Sequence, residues 1–168
     1  MVIFLKEDRI IVDDEAVASR LLQKGFGKQT GVGGRLELSL IEGLYLIGRE
    51  SINVTKGKRE VTPEDIIKIA AEEDFQLKYK VYADLRERGH IVKSGFKFGA
   101  HFRVYGRGES ISEHSKYLVH AVPESEVYSF HDVSRIVRLA HGVKKDILFA
   151  VVDDEGDITY YKIERITP

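Results

Sequence analysis

Three short segments hold the side chains whose types and spacing could do chemistry: residues 95–106 (GFKFGAHFRVYG), 113–119 (EHSKYLV) and 143–149 (VKKDILF). They place a phenol, Tyr105, an imidazole, His114, and an ammonium, Lys144 or Lys145, at strand ends and in loops. Those are the groups needed to cleave RNA without a metal ion. Taken singly, each residue has a plainer reading. Tyr105 closes an alternating apolar run and suits a half-buried aromatic with a solvated hydroxyl. His114 suits an ordinary loop histidine, and the Lys144–Lys145 pair suits a solvated strand entrance.

The chain around these segments has 168 residues and a formal net charge of -1, enough for one domain or two small ones with a real core. Hydrophobic residues make up 43% and charged residues 32%, a globular composition whose charge content suits a thermophilic source. With no cysteine, disulfides and thiolate metal sites are excluded. No apolar run approaches the roughly 20 residues a membrane span needs, and no basic-then-apolar leader opens the chain. The sequence therefore reads as cytoplasmic. The near-zero net charge offers no global attraction to nucleic acid, so any RNA contact must come from a local patch.

Residues 2–5 and 9–12 suit short strands. Asp13 or Asp14 can cap a helix carrying Ala16, Val17, Leu21 and Leu22, which Gly25 ends. Residues 31–34 (GVGG) read as a turn, Leu40, Leu44 and Ile47 keep helical spacing, and residues 51–54 look like a strand. Thr62, Pro63, Glu64 and Asp65 form a helix start: a capping hydroxyl, a proline at the first helical position, and acids at the N-terminal dipole. A further helix is expected over 75–88, with Leu77, Val81, Tyr82 and Leu85 as its apolar set, and Gly89 closing it. Strands are expected at 90–93, 98–105 and 115–122, a helix from Ser129, and strands at 147–152 and 158–166. No internal repeat or low-complexity segment is visible. The expected fold is α/β and α+β, with a small N-terminal α+β domain over 1–74 and a C-terminal α/β domain with a central mixed sheet over 75–168.

The ordered set of Gly-Phe-Lys-Phe-Gly, Tyr105, the His114-Ser-Lys-Tyr run and a lysine before an apolar strand at Lys145 resembles the catalytic region of archaeal-type tRNA-splicing endonucleases. The resemblance covers the last ninety or so residues well and the first half loosely. It implies a nuclease-like catalytic domain that cuts both exon–intron junctions of precursor tRNA at bulge-helix-bulge sites, leaving a 2′,3′-cyclic phosphate and a 5′-hydroxyl. It also implies the triad Tyr105, His114 and Lys145, with no cofactor and no metal. In that scheme the tethered ribose 2′-OH attacks its own phosphorus. Tyr105 would take the 2′-OH proton, and since a phenol titrates near about 10 it needs nearby cations, for which Lys145, Arg103 and Arg107 are candidates. His114 would protonate the leaving 5′-oxygen, and Lys145 would stabilise charge on the pentacoordinate phosphorus.

Other residues follow from the same resemblance. Family members hold a bulge nucleotide with side chains of the region containing Arg135, Arg138 and Arg165, and a guanidinium can both stack on a base and bind phosphate. Arg138 and Arg165 are the candidates, against the plainer reading of surface pairs with Glu164, Asp132 or Glu155. Arg103 and Arg107 join them within a modest basic bias over 93–120. The acidic turn with Asp153, Asp154 and Asp157 would be a solvated hairpin tip on its own. By resemblance it docks into an opposing subunit, and with one triad per short chain the assembly is a homotetramer. Ile158, Tyr160, Ile163 and Ile166 are apolar enough for a strand-edge interface, or for the chain's own core. A non-catalytic RNA-binding or structural subunit is the alternative, and the presence of all three triad residues argues against it. A metal-dependent nuclease would need ordered carboxylates, which Glu113 and Asp146 do not supply. Phe96, Phe98 and Phe102 only weakly imitate a plain RNA-binding surface.

Overall fold

A computed structural model describes residues 3–31, 34–111 and 113–168, so Val2 and, in the expected 31–34 turn, Val32 and Gly33 lie outside the described residues. The chain divides into two compact units, 1–79 and 80–168. No helix among the described residues is long and apolar enough to cross a membrane.

In the first unit, strands β1 (Ile3–Lys6) and β2 (Arg9–Val12) pair antiparallel, and α1 (Glu15–Gln23) starts where Asp14 accepts a hydrogen bond from Val17 N–H at 2.9 Å. After β3 (Lys28–Gln29) and β4 (Leu36–Ser39), α2 (Leu40–Gly48) opens on a capping box of Ser39 and Glu42. Glu42 is buried, and its carboxylate also accepts from Gly27 N–H at 2.8 Å, so this acid serves structure. The strands β5 (Thr55–Lys56) and β6 (Arg59–Glu60) complete a sheet of order β3-β4-β2-β1-β5-β6. The expected strand at 51–54 is absent. Ile52 and Val54 are apolar because they are buried loop side chains; pairing begins only at Thr55. Thr62 and Asp65 form a capping box, with Pro63 at the first turn, for α3 (Pro63–Ala70).

The helix α4 (Phe75–Glu87) crosses the division between the units. The second unit is a mixed sheet of order β11-β10-β9-β8-β7, built from β7 (Val92–Ser94), β8 (Phe102–Val104), β9 (Tyr117–Pro123), β10 (Asp146–Val152) and β11 (Ile158–Ile163). β9 and β10 run parallel and every other pair is antiparallel; the parallel pair is joined by α5 (Phe130–Gly142), capped by Ser129. The α5 residues Val137 and Ala140 pack with Leu118, Val122, Ile147 and Phe149 on one face of the sheet. On α4, Val81, Tyr82 and Leu85 are buried, with Tyr82 against Phe102.

Two strands are shorter than the sequence pattern suggests. Over 98–105, residues Phe96–Phe98 form a 3-10 turn, Gly99 takes φ +70°, and β8 begins at Phe102. β11 stops at Ile163 rather than 166, because its partner Ile147 is already next to the first residue of β10.

Candidate active site

The sheet ladder brings the ends of three strands together. Val104 pairs with Tyr117 across β8 and β9, and Tyr117 pairs with Asp146 across β9 and β10. One residue further out, Lys116 N–H donates to Val104 O at 2.9 Å and Asp146 N–H donates to Lys116 O at 3.1 Å. Tyr105 and Lys145 therefore flank Lys116 on the next rung, their backbones roughly 10 Å apart at two strand spacings. His114 lies in the loop that enters this rung.

Lys145 is delivered by the end of α5. Val143 is the C-cap and Lys144 follows in the left-handed region at φ +56°. Lys144 N–H donates to His141 O and Lys145 N–H to Ala140 O, both at 3.0 Å, the bond pattern of a Schellman stop. This separates the two lysines: Lys144 is exposed, whereas Lys145 turns inward. Lys145 Nζ donates to Ser115 O at 2.6 Å and stands 5.5 Å from the centroid of the Phe98 ring. Burial lowers the Lys145 pKa from its ordinary value, and the positive charges of Arg103 and Lys97 lower it further. The Arg103 Nε is buried without a hydrogen-bond partner among the described residues. Lys145, near enough to Arg103 and Lys97 to feel their charges, thus sits beside the carbonyl that follows His114.

Tyr105 stands just past the end of β8 with 4% of its surface exposed, and its N–H donates to Ile91 O at 3.0 Å. The solvated phenol of the plainer sequence reading is not what the structure has. His114 is exposed, while its neighbour Ser115 is 7% exposed. Arg107 is exposed and its side chain runs past Gly89.

Arg138 and Arg165, far apart in sequence, line one open groove of about 660 Å³ together with Phe130, His131, Ser134 and Glu164. Both arginines are exposed, and Arg138 Nε lies 3.4 Å from Ser134 O one turn back on α5. In the acidic turn, Asp153 Oδ1 accepts from Asp157 N–H at 2.9 Å, so that carboxylate braces its own hairpin, while Asp154 and Asp157 are exposed. The Ser115 carbonyl that receives Lys145 was not anticipated from sequence. A backbone acceptor has no residue-type signal, and only the fold exposes it.

The profile described as "tRNA intron endonuclease, catalytic C-terminal domain" matches residues 75–160, and "tRNA intron endonuclease, N-terminal domain" matches residues 1–67. The chain is 47% identical to a tRNA-splicing endonuclease of Thermococcus gammatolerans over 99% of its own length and 98% of the relative's. It is 44% identical to that of Methanothermobacter thermautotrophicus over 98% and 96%. A tRNA-splicing endonuclease of Methanococcoides burtonii is 39% identical and is matched over 47% of its own length. Two domain profiles in order and full-length similarity at this level leave one assignment: the chain belongs to the tRNA intron endonuclease family.

Proposed function

We propose that the chain removes introns from precursor tRNA by cutting RNA at bulge-helix-bulge sites, through attack of the ribose 2′-OH on its own phosphorus, giving 2′,3′-cyclic phosphate and 5′-hydroxyl ends. Tyr105 takes the 2′-OH proton, His114 protonates the departing 5′-oxygen, and Lys145 stabilises the charge that builds on the phosphoryl oxygens. The observation that carries this reading is the inward-turned Lys145 ammonium, 2.6 Å from the carbonyl next to His114 and on the same rung of the sheet as Tyr105. Arg103 and Arg107 attract the phosphates near the cut, and Arg138 and Arg165 hold a bulge nucleotide in their shared groove.

Residues 1–74 serve assembly and 75–168 carry the chemistry, a division supported by family matches that end at 67 and resume at 75. The active form is a homotetramer in which the turn with Asp153, Asp154 and Asp157 docks into another copy. The test is cleavage of a bulge-helix-bulge RNA by this chain alone, with and without EDTA. A 2′-deoxyribose at the scissile position should bind and resist cleavage. Cutting of that RNA at the normal rate would show that water, not the 2′-OH, attacks.

A further inference from the structure

The peptide group that follows Tyr105 is gripped on both edges by side chains. Its carbonyl oxygen, on Tyr105, lies 2.8 Å from Nδ1 of His90, and its N–H, on Gly106, donates to Glu109 Oε2 at 2.7 Å. A carbonyl oxygen has no proton to offer, so His90 Nδ1 carries the hydrogen of that bond. Both partners are themselves fixed. His90 N–H donates to Leu85 O at 3.0 Å at the end of α4, and its ring stands edge-on to Tyr117 at a centroid distance of 6.4 Å. Glu109 N–H donates back to Gly106 O at 3.0 Å, closing a turn in which Gly108 takes φ +77°.

The ladder of β8 has ended at Val104, so neither bond belongs to the sheet. Backbone groups at such a strand end are ordinarily satisfied by water. Here two side chains from different elements replace it. The Tyr105 N–H is held by Ile91 O, so both peptide planes flanking the Tyr105 Cα are pinned, and with them the direction of its Cα–Cβ bond. The glycine at 106 belongs to the same device: a Cβ there would stand 2.2 Å from the Glu109 carboxyl carbon, in the space the carboxylate occupies.

We infer that His90 and Glu109 are positioning residues that clamp the Tyr105–Gly106 peptide and so aim the Tyr105 hydroxyl. The inference rests on Tyr105 acting as the base and adds the residues that hold it in place. A misplacement of about 1 Å at a reacting group costs up to roughly 100-fold in rate.

The experiment is single-turnover cleavage of a bulge-helix-bulge RNA by the full chain at saturating enzyme. His90→Ala and Glu109→Ala should each slow cleavage by about 10- to 100-fold, with RNA affinity and the thermal melt unchanged. Glu109→Gln keeps a carbonyl that accepts from Gly106 N–H, and His90→Asn keeps a donor close to the place of Nδ1. Each should recover most of the lost rate. Gly106→Ala displaces the Glu109 carboxylate and should match Glu109→Ala, the double variant being no slower than either single one. In a Tyr105→Phe background the His90 and Glu109 substitutions should cause no further loss. Full rates in both alanine variants while Tyr105→Phe is inactive would overturn the clamp and leave the catalytic reading intact, as would losses that persist undiminished in the Tyr105→Phe background. A full rate in Tyr105→Phe itself would remove the tyrosine from the reaction and the clamp with it.

Discussion

The two adjacent lysines give opposite expectations, because one closes a helix and the other faces the candidate site. Lys144 holds φ +56° at the Schellman position, where a side chain costs an L-residue about 1–2 kcal/mol. Glycine removes that cost, although its greater freedom in the unfolded chain takes back about 0.5–1 kcal/mol. Lys144→Gly should therefore stabilise the chain by about 0.5–1 kcal/mol, which for a protein of this size is an upward shift of the melting midpoint by about 1–4 °C. Its cleavage rate should be that of the wild type. Lys145→Met keeps an apolar stem over Phe98 but removes the ammonium that reaches Ser115 O, and should lower the single-turnover rate by about 100- to 1,000-fold. Thermal denaturation followed by circular dichroism and a gel-based cleavage assay read the two effects separately. Loss of activity in Lys144→Gly with activity retained in Lys145→Met would reverse the assignment, and a fall in the melting midpoint of Lys144→Gly would refute the strain argument.

His114→Ala should leave RNA binding intact and reduce the single-turnover rate by roughly 100-fold, the usual scale for loss of a general acid; an unchanged rate would take His114 out of the mechanism. His120, stacked on Phe149, is pushed down to about 4, first by burial and then by the neighbouring His101. Below about 6.5 the unfolded chain takes up a proton that the folded ring refuses, so stability present above that pH should be lost as pH falls toward 4. After allowance for partial exposure the loss is about 1–2 kcal/mol, visible in urea titrations and absent in His120→Phe. If the proposed four-chain assembly forms through this turn, Asp154→Lys with Asp157→Lys should shift it toward dimers by light scattering and lower activity while each chain stays folded. A variant that remains tetrameric and fully active would return this turn to a solvated hairpin tip.

Where the sequence carries a strong local signal, the structure follows it. Thr62 before Pro63, Ser129 with Asp132, and Asp14, one of two acids read as a cap, each open a helix where the sequence signals one, although on α1 it is Ala18 with Leu21 that is buried while the expected Ala16 is exposed. Residues 51–54 fail for a physical reason. An apolar pair two residues apart marks burial, and whether a ladder forms is decided by a partner strand that no local pattern reveals. The Phe98–Tyr105 run misleads in the same way, since its alternation continues through a turn set by Gly95 and Gly99.

The candidate site divides along the same line. Tyr105, His114 and Lys145 stand out in the sequence only as an ordered set that carries the family resemblance, since each alone has a plainer reading, and their catalytic role is the proposal made above. Their support is not legible. The Ser115 carbonyl is a backbone atom, His90 reaches Tyr105 across fifteen residues, and Glu109 reads in sequence as one more loop acid. Side chains that act on other residues' backbones leave almost no compositional trace, because their partner is the same group at every position. In the folded chain the relation reverses. Tyr105 and Lys145, proposed to react, stand just past strand ends, where backbone is least constrained, so their aim would depend on the bonds that fix that backbone.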